Sequence, residues 1–262
     1  MSLWKGVTAV DRPTVFRYDF AGHPLRYHFH YPLTRYRFLP LPVAVVGENY
    51  DLCVTEELLK LGQKAFSDST YDDYVEYRCL LELTSRALLR YDRTIFHAVS
   101  FIWNGKAFLL TAPSGVGKTT QYMNWQRLFP GEIEMISGDM PVLVGREDGS
   151  IEVWPSPWNG KERIRSQRHA QLGGIVLLEQ AEVDEIRMLT AQEAVVPLLL
   201  QFVASPVTRE EILDLTSFLE RLIGAAPVWK LRNRGGDVST ALLRLTLEGS
   251  LADGGDRTHG TL

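Results

Sequence analysis

The sequence predicts an α/β fold with a mixed, largely antiparallel sheet that carries a phosphate-type loop (P-loop) and is flanked by helices. Three observations lead there. The β-rich runs Ile95–Trp103 and Lys106–Thr111 are joined by Asn104-Gly105, a hairpin signal that makes neighbouring strands antiparallel. The glycine-rich segment Ala112–Thr119 follows the second run and opens a helix. Segments of helical periodicity alternate with short apolar runs through the rest of the chain. An ordinary P-loop ATPase reaches its loop from a parallel sheet with crossover helices, which a two-residue hairpin cannot supply.

Taken in order, Phe16, Tyr18 and Phe20 alternate on one face, and Leu25, Tyr27, Phe29 and Tyr31 repeat the pattern after Ala21–Pro24. A hairpin with one aromatic face is expected. Val43–Val46 reads as a short strand and Thr55–Phe66 as a helix. A longer helix starts at Thr70, with Asp73 completing the cap and an apolar stripe through Tyr74, Tyr77, Leu81 and Leu88. The helix after the loop ends near Phe129, before Pro130-Gly131. Ile133–Ser137, Pro141–Val144, Ile151–Trp154, Gly174–Leu178 and Val228–Leu231 read as strands. Helices are expected from Thr190, capped with Glu193 and bent by Pro197, over Thr208–Ile223, and over Val238–Leu247.

The 262 residues suit one large domain. We expect an N-terminal β/α elaboration over 1–93 packed on a core at 94–248, then an unfolded tail at 249–262 rich in Gly, Asp and Thr. The net charge of −4 calls for neither nucleic acid nor an anionic membrane as partner. The longest apolar stretch, Ala194–Ala204, is too short to span a bilayer and is interrupted by Pro197 and Gln201. The N-terminus has no apolar signal core, and Cys53 and Cys79 make neither a disulfide framework nor a zinc quartet. A cytoplasmic protein is the simplest reading.

The loop carries the chemistry. Backbone N–H groups of Pro113-Ser114-Gly115-Val116-Gly117-Lys118-Thr119-Thr120, Pro113 excepted, can surround phosphate oxygens at a helix N-terminus. Gly115 and Gly117 permit the backbone angles and the close approach of phosphate. Lys118 reaches β- and γ-phosphates, and Thr119 can ligate Mg2+. Ala112 stands where the first glycine is usual. A match of this kind arises by chance in roughly 2% of chains this long, so ATP is the expected ligand.

From His97, the stretch HAVSFIWNGKAFLLTAPSGVGKTT, followed by ISGDMPVL, resembles the HPr kinase/phosphorylase family, whose core is related to phosphoenolpyruvate carboxykinase. SGDMP, SPWNGKE and GGIVLLEQ are similar to small stand-alone homologues found beside peptide-modification genes, some of which phosphorylate ribosomally made peptides, including lasso-peptide precursors. The resemblance covers about residues 95–248. It implies a kinase that uses ATP and magnesium to phosphorylate a serine of a peptide or protein, such as a precursor peptide, and that self-associates as a homo-oligomer. It also implies catalytic roles for Asp139, His97 and Lys118. Asp139 is left as base, magnesium ligand or both, because Gly138 stands where the family has its first aspartate. Glu162 falls near the family's second metal-binding glutamate.

The remaining candidates carry alternatives. His97 either tunes the aspartate or is a buried histidine bonded to backbone within a strand. Ser156–Glu162 could close over phosphates, with Lys161 stabilising transferred charge, or be a turn with Trp158 packed inward. Lys161, Arg163 and Arg165, continued by Arg168, could hold an acidic acceptor or form a solvated face. His28 and His30 read as a hairpin edge rather than a metal site. A kinase for a small metabolite, or an ATP-binding regulatory protein without transfer, are the rival functions.

Overall fold

The computed structural model describes residues 14–31, 34, 50–65, 71–159 and 166–254. Val43–Val46 and Thr70 lie outside them.

The aromatic hairpin forms as expected from its alternation. Strands β1 (Thr14–Asp19) and β2 (Pro24–Phe29) pair antiparallel, with Phe16 opposite Tyr27 and Tyr18 opposite Leu25. Strand β3 (Tyr50–Cys53) joins β2 in parallel. Helix α1 covers Glu56–Ala65 and α2 covers Asp72–Leu89. Tyr71 is the N-cap of α2 and makes no side-chain capping bond; the cap expected at Thr70 lies outside the described residues.

The buried face of α2 is also displaced from the expected stripe. Val75, Glu76, Leu80, Leu81, Thr84, Ser85 and Leu88 are buried, whereas Tyr74 and Tyr77 are half-buried. Polar residues can occupy this face because each has a partner. The Glu76 carboxylate accepts the N–H groups of His30 and Tyr31 and the hydroxyl of Thr34. Thr84 and Tyr27 share a hydrogen bond of 2.8 Å, and Ser85 accepts the N–H of Ile95.

The main sheet is mixed and largely antiparallel. Its strands are β4 (Arg93–Ile95), β5 (Val99–Trp103), β6 (Lys106–Thr111), β7 (Glu134–Ser137), β8 (Val142–Gly145), β9 (Ile151–Trp154), β10 (Ala170–Gln180), β11 (Glu185–Met188) and β12 (Val228–Asn233). They lie in the order β4-β8-β9-β10-β6-β5-β7, with β12 also on β10 and β11 on β12. Among the described pairings of this sheet, only β10 with β6 and β10 with β12 are parallel. Asn104 (φ 47°) and Gly105 (φ 75°) turn β5 into β6 with both central residues left-handed, the geometry that matches strand twist.

Helices cover both faces. On one, α3 (Lys118–Leu128) and α6 (Asp237–Gly254) pack Tyr122, Trp125 and Leu243 on Phe101, Phe108 and Trp229. On the other, α4 (Ala191–Leu199) and α5 (Arg209–Ala225) set Leu198, Phe218 and Leu222 against Leu109, Ile175 and Leu177. Reciprocal capping boxes start α4 (Thr190, Glu193) and α5 (Thr208, Glu211).

Three expectations are corrected. Ile95–Trp103 is not one strand: it breaks at Phe96–Ala98, where the chain passes from pairing with β8 to pairing with β7. The strand expected at Gly174–Leu178 runs from Ala170 to Gln180, because its two ends find different partners, β9 and β12. Helix α6 continues to Gly254, so the first residues of the expected tail are helical. Strand β11 is an addition and pairs antiparallel with β12. No helix among the described residues is long and apolar enough to cross a membrane.

Candidate functional site

Strand breaks build the site. The gap between β4 and β5 faces the gap between β7 and β8. Across them the N–H of Phe96 donates to the Pro141 carbonyl at 3.0 Å, and that of Ala98 to the Asp139 carbonyl at 2.8 Å. Between those bonds, the N–H of His97 donates to the Gln201 carbonyl at 2.8 Å, and the His97 carbonyl accepts the Thr111 hydroxyl at 2.7 Å. His97 is therefore bonded through its backbone on both sides, and it sits in a break rather than within a strand. That leaves its imidazole fixed at the end of β6, where the glycine loop begins.

The loop has the backbone that its glycines imply. Gly115 and Gly117 have φ of 84° and 111°, a region that L side chains rarely adopt. A methyl at Gly115 would meet nothing within 4 Å, so backbone conformation rather than crowding requires glycine there. Gly117 is the N-cap of α3 and offers no side-chain cap, so the first N–H groups of that helix turn toward the loop with their partial positive charge. Thr119 is half-buried and Thr120 exposed in the first turn.

Lys118 is the first residue of α3 and only 8% exposed. Its ammonium donates to the Ala112 carbonyl at 2.9 Å and lies 3.0 Å from His97 Nε2. An ammonium has only donors, so Nε2 accepts and the ring proton sits on Nδ1. Burial pushes the His97 pKa below its usual value and the Lys118 ammonium lowers it further. Asp139 and the Gln201 carboxamide pull the other way. Lys118 is lowered by burial, with Asp139 opposing. Asp139 Oδ1 stands 3.5 Å from His97 Nε2. The three expected catalytic residues, His97, Lys118 and Asp139, thus share one small volume, ordered as carboxylate, imidazole, ammonium.

Lys161, Glu162, Arg163 and Arg165 lie outside the described residues. The segment before them is set in the core and is no closing loop: Ser156, Trp158 and Asn159 are buried. Trp158 packs between Phe20 and Tyr77, with ring centroids 6.3 and 6.2 Å away. Asn159 Oδ1 accepts the Ser137 hydroxyl at 3.3 Å, at the end of β7 two residues before Asp139. Arg168 is exposed and pairs with Glu134 at 3.7 Å. His30 Nε2 contacts Cys53 Sγ at 3.3 Å along the N-terminal sheet.

The residues present fit phosphate with magnesium. No cluster of three or more metal-ligating side chains is found among the described residues. A closed protein cage is not what magnesium needs: it takes one or two carboxylates plus phosphate oxygens and water. Asp139 and Thr119 are the donors available for that arrangement beside an open glycine cradle.

Sequence reasoning missed Gln201, Thr111, Ser137 and Asn159, which hold His97 and the approach to Asp139. Gln201 left a signal as a lone amide inside the apolar run Ala194–Ala204, and Ser137 and Asn159 fell inside the stretches ISGDMPVL and Ser156–Glu162 already singled out.

No protein-family model matches this chain, and no curated protein matches it in sequence. Among solved structures the chain is similar to one described as the HPr(Ser) kinase/phosphatase from Coxiella burnetii. The two are 11% identical with a TM-score of 0.34, over 61% of this chain and 97% of that one.

Proposed function

We propose that this protein is a kinase that uses ATP and magnesium to phosphorylate a hydroxyl group, that of a serine in a peptide or protein. The observation that carries the proposal is Lys118 at the start of the glycine-loop helix, 3.0 Å from His97, with Asp139 3.5 Å beyond. In this reading the loop N–H groups and Lys118 hold the β- and γ-phosphates. Asp139 orients the acceptor hydroxyl and takes its proton as the oxygen bonds to the γ-phosphorus and the bond to the bridging oxygen breaks, leaving ADP. His97, held neutral, lets the ammonium face phosphate without a second positive charge beside Asp139. Thr119 and Asp139 would hold magnesium, which when bound neutralises charge on the phosphate oxygens. The serine acceptor rests on the sequence resemblance of residues 95–248.

Incubation with γ-labelled ATP and serine-containing peptides tests this, with label expected on peptide. Lys118→Ala should abolish nucleotide binding or turnover, and unchanged activity in that variant would sink the proposal. One observation favours a second reading, ATP binding without transfer: Gly138 offers no carboxylate beside Asp139. ATP binding with no label on any peptide or small hydroxyl compound would select it.

A further inference from the structure

The segment after α4 is zipped onto the strand break that carries His97. The His97 N–H donates to the Gln201 carbonyl at 2.8 Å, and the Val203 N–H to the Ile95 carbonyl at 3.2 Å. Between them the Phe96 and Phe202 rings meet edge to face, with centroids 5.2 Å apart. The Gln201 backbone is thus fixed relative to His97. Its side chain belongs to a residue only 6% exposed, and the carboxamide oxygen is buried with no hydrogen bond of normal geometry among the described residues. A buried acceptor with no donor is costly, so a donor is to be sought beside it.

His97 supplies that donor. Its Nε2 accepts from Lys118 at 3.0 Å and faces Asp139 Oδ1 at 3.5 Å, which leaves Nδ1 for the contact of the ring with the Gln201 carboxamide. With Nε2 an acceptor, Nδ1 carries the proton, and only the oxygen end of a carboxamide can receive it. The other neutral tautomer reverses these pairings. A proton on Nε2 points at Asp139 and against the Lys118 ammonium, while Nδ1 becomes an acceptor facing an acceptor. The imidazole therefore has two neutral forms with different partners, and the carboxamide distinguishes them.

The choice matters at Lys118. An ammonium has three N–H groups. One donates to the Ala112 carbonyl at 2.9 Å and a second to His97 Nε2, so these two aim the third. We propose that Gln201 is a positioning residue for phosphoryl transfer: its carboxamide oxygen holds the His97 proton on Nδ1, so that Nε2 aims the third N–H of Lys118 at the transferred phosphate. The proposal rests on the kinase reading above.

Nuclear magnetic resonance of the full chain with 15N-labelled histidine reads the tautomer. It is recorded at about pH 8, where an imidazole with an ordinary pKa of about 6.5 is neutral. His97→Gln identifies the His97 signals among the six histidines. Wild type should carry the proton on Nδ1. Gln201→Met keeps side-chain length and removes the acceptor, whereas Gln201→Glu keeps an acceptor oxygen; circular dichroism verifies folding of both. In Gln201→Met the form protonated on Nε2 should appear, and kcat for label transfer should fall about tenfold or more, with KM for ATP within about twofold of wild type. Gln201→Glu should restore the Nδ1 form and most of kcat. A wild-type proton on Nε2 overturns the inference without any variant, and so does a Gln201→Met variant with unchanged tautomer or unchanged kcat. These outcomes leave the kinase reading standing, because the tautomer is read with neither nucleotide nor peptide. Wild type that transfers no label overturns the kinase reading itself, and this inference with it.

Discussion

The His97 imidazole faces both the Lys118 ammonium and the Asp139 carboxylate. Burial and the Lys118 ammonium lower its pKa, so between the folded value and the ordinary value of about 6.5 the unfolded chain binds a proton that the folded one does not. Stability from this residue is therefore full above about pH 6.5 and is lost as pH falls through the folded value. Urea unfolding from pH 7 down to pH 5 should show a steeper loss for wild type than for His97→Gln; equal slopes would remove His97 as the titrating group. At Asp139 the expectation is kinetic. Asp139→Asn should keep ATP affinity while transfer falls by about 10²–10⁴, the usual contribution of a positioned base. Titration of ATP binding beside a label-transfer assay separates the two, and retained transfer would exclude Asp139 as base.

Trp158 ties the site to the core. Its ring is 1% exposed between Phe20 and Tyr77, and the next residue, Asn159, accepts the Ser137 hydroxyl at the end of β7. Trp158→Ala should cost about 3–5 kcal/mol of stability, as large-to-small core changes do, and should slow transfer more than it weakens ATP binding. Chemical denaturation and steady-state kinetics check both parts, and a loss below about 1 kcal/mol would contradict this packing. The elements legible in the sequence were those whose cause is local. Asn104-Gly105 encodes its own turn, Thr190 and Glu193 their own cap, and Gly115 and Gly117 their own loop. Whatever depended on a distant partner was hidden. Glu76 is buried because His30, Tyr31 and Thr34 surround its carboxylate, which apolar periodicity cannot register. The break at Phe96–Ala98 exists because Asp139, Pro141 and Gln201 accept its N–H groups. His97 and Asp139 could be named from the chain, but not the opposed strand breaks that bring them together.

The N-terminal elaboration and the main sheet share one apolar cluster. Tyr18, Phe20, Tyr27 and Phe29 of the hairpin, Leu80, Leu81 and Leu88 of α2, Ile95 of β4, Val142 and Val144 of β8, and Trp158 all belong to it. Polar ties cross the same boundary. The Arg93 guanidinium donates to the carbonyls of Phe20 and Ala21, and Arg86 pairs with Glu211 of α5 at 2.9 Å. Neither part can leave without exposing the other's buried side chains to water, which disfavours any state in which only one is folded. Tryptophans report on the two regions separately, Trp158 in the shared cluster and Trp125 and Trp229 under α3 and α6. Variants that keep only Trp158 or only Trp229 should therefore unfold in urea at one midpoint, coincident with loss of helical circular dichroism. An earlier transition at Trp158 alone would mean that the elaboration opens independently of the site it supports.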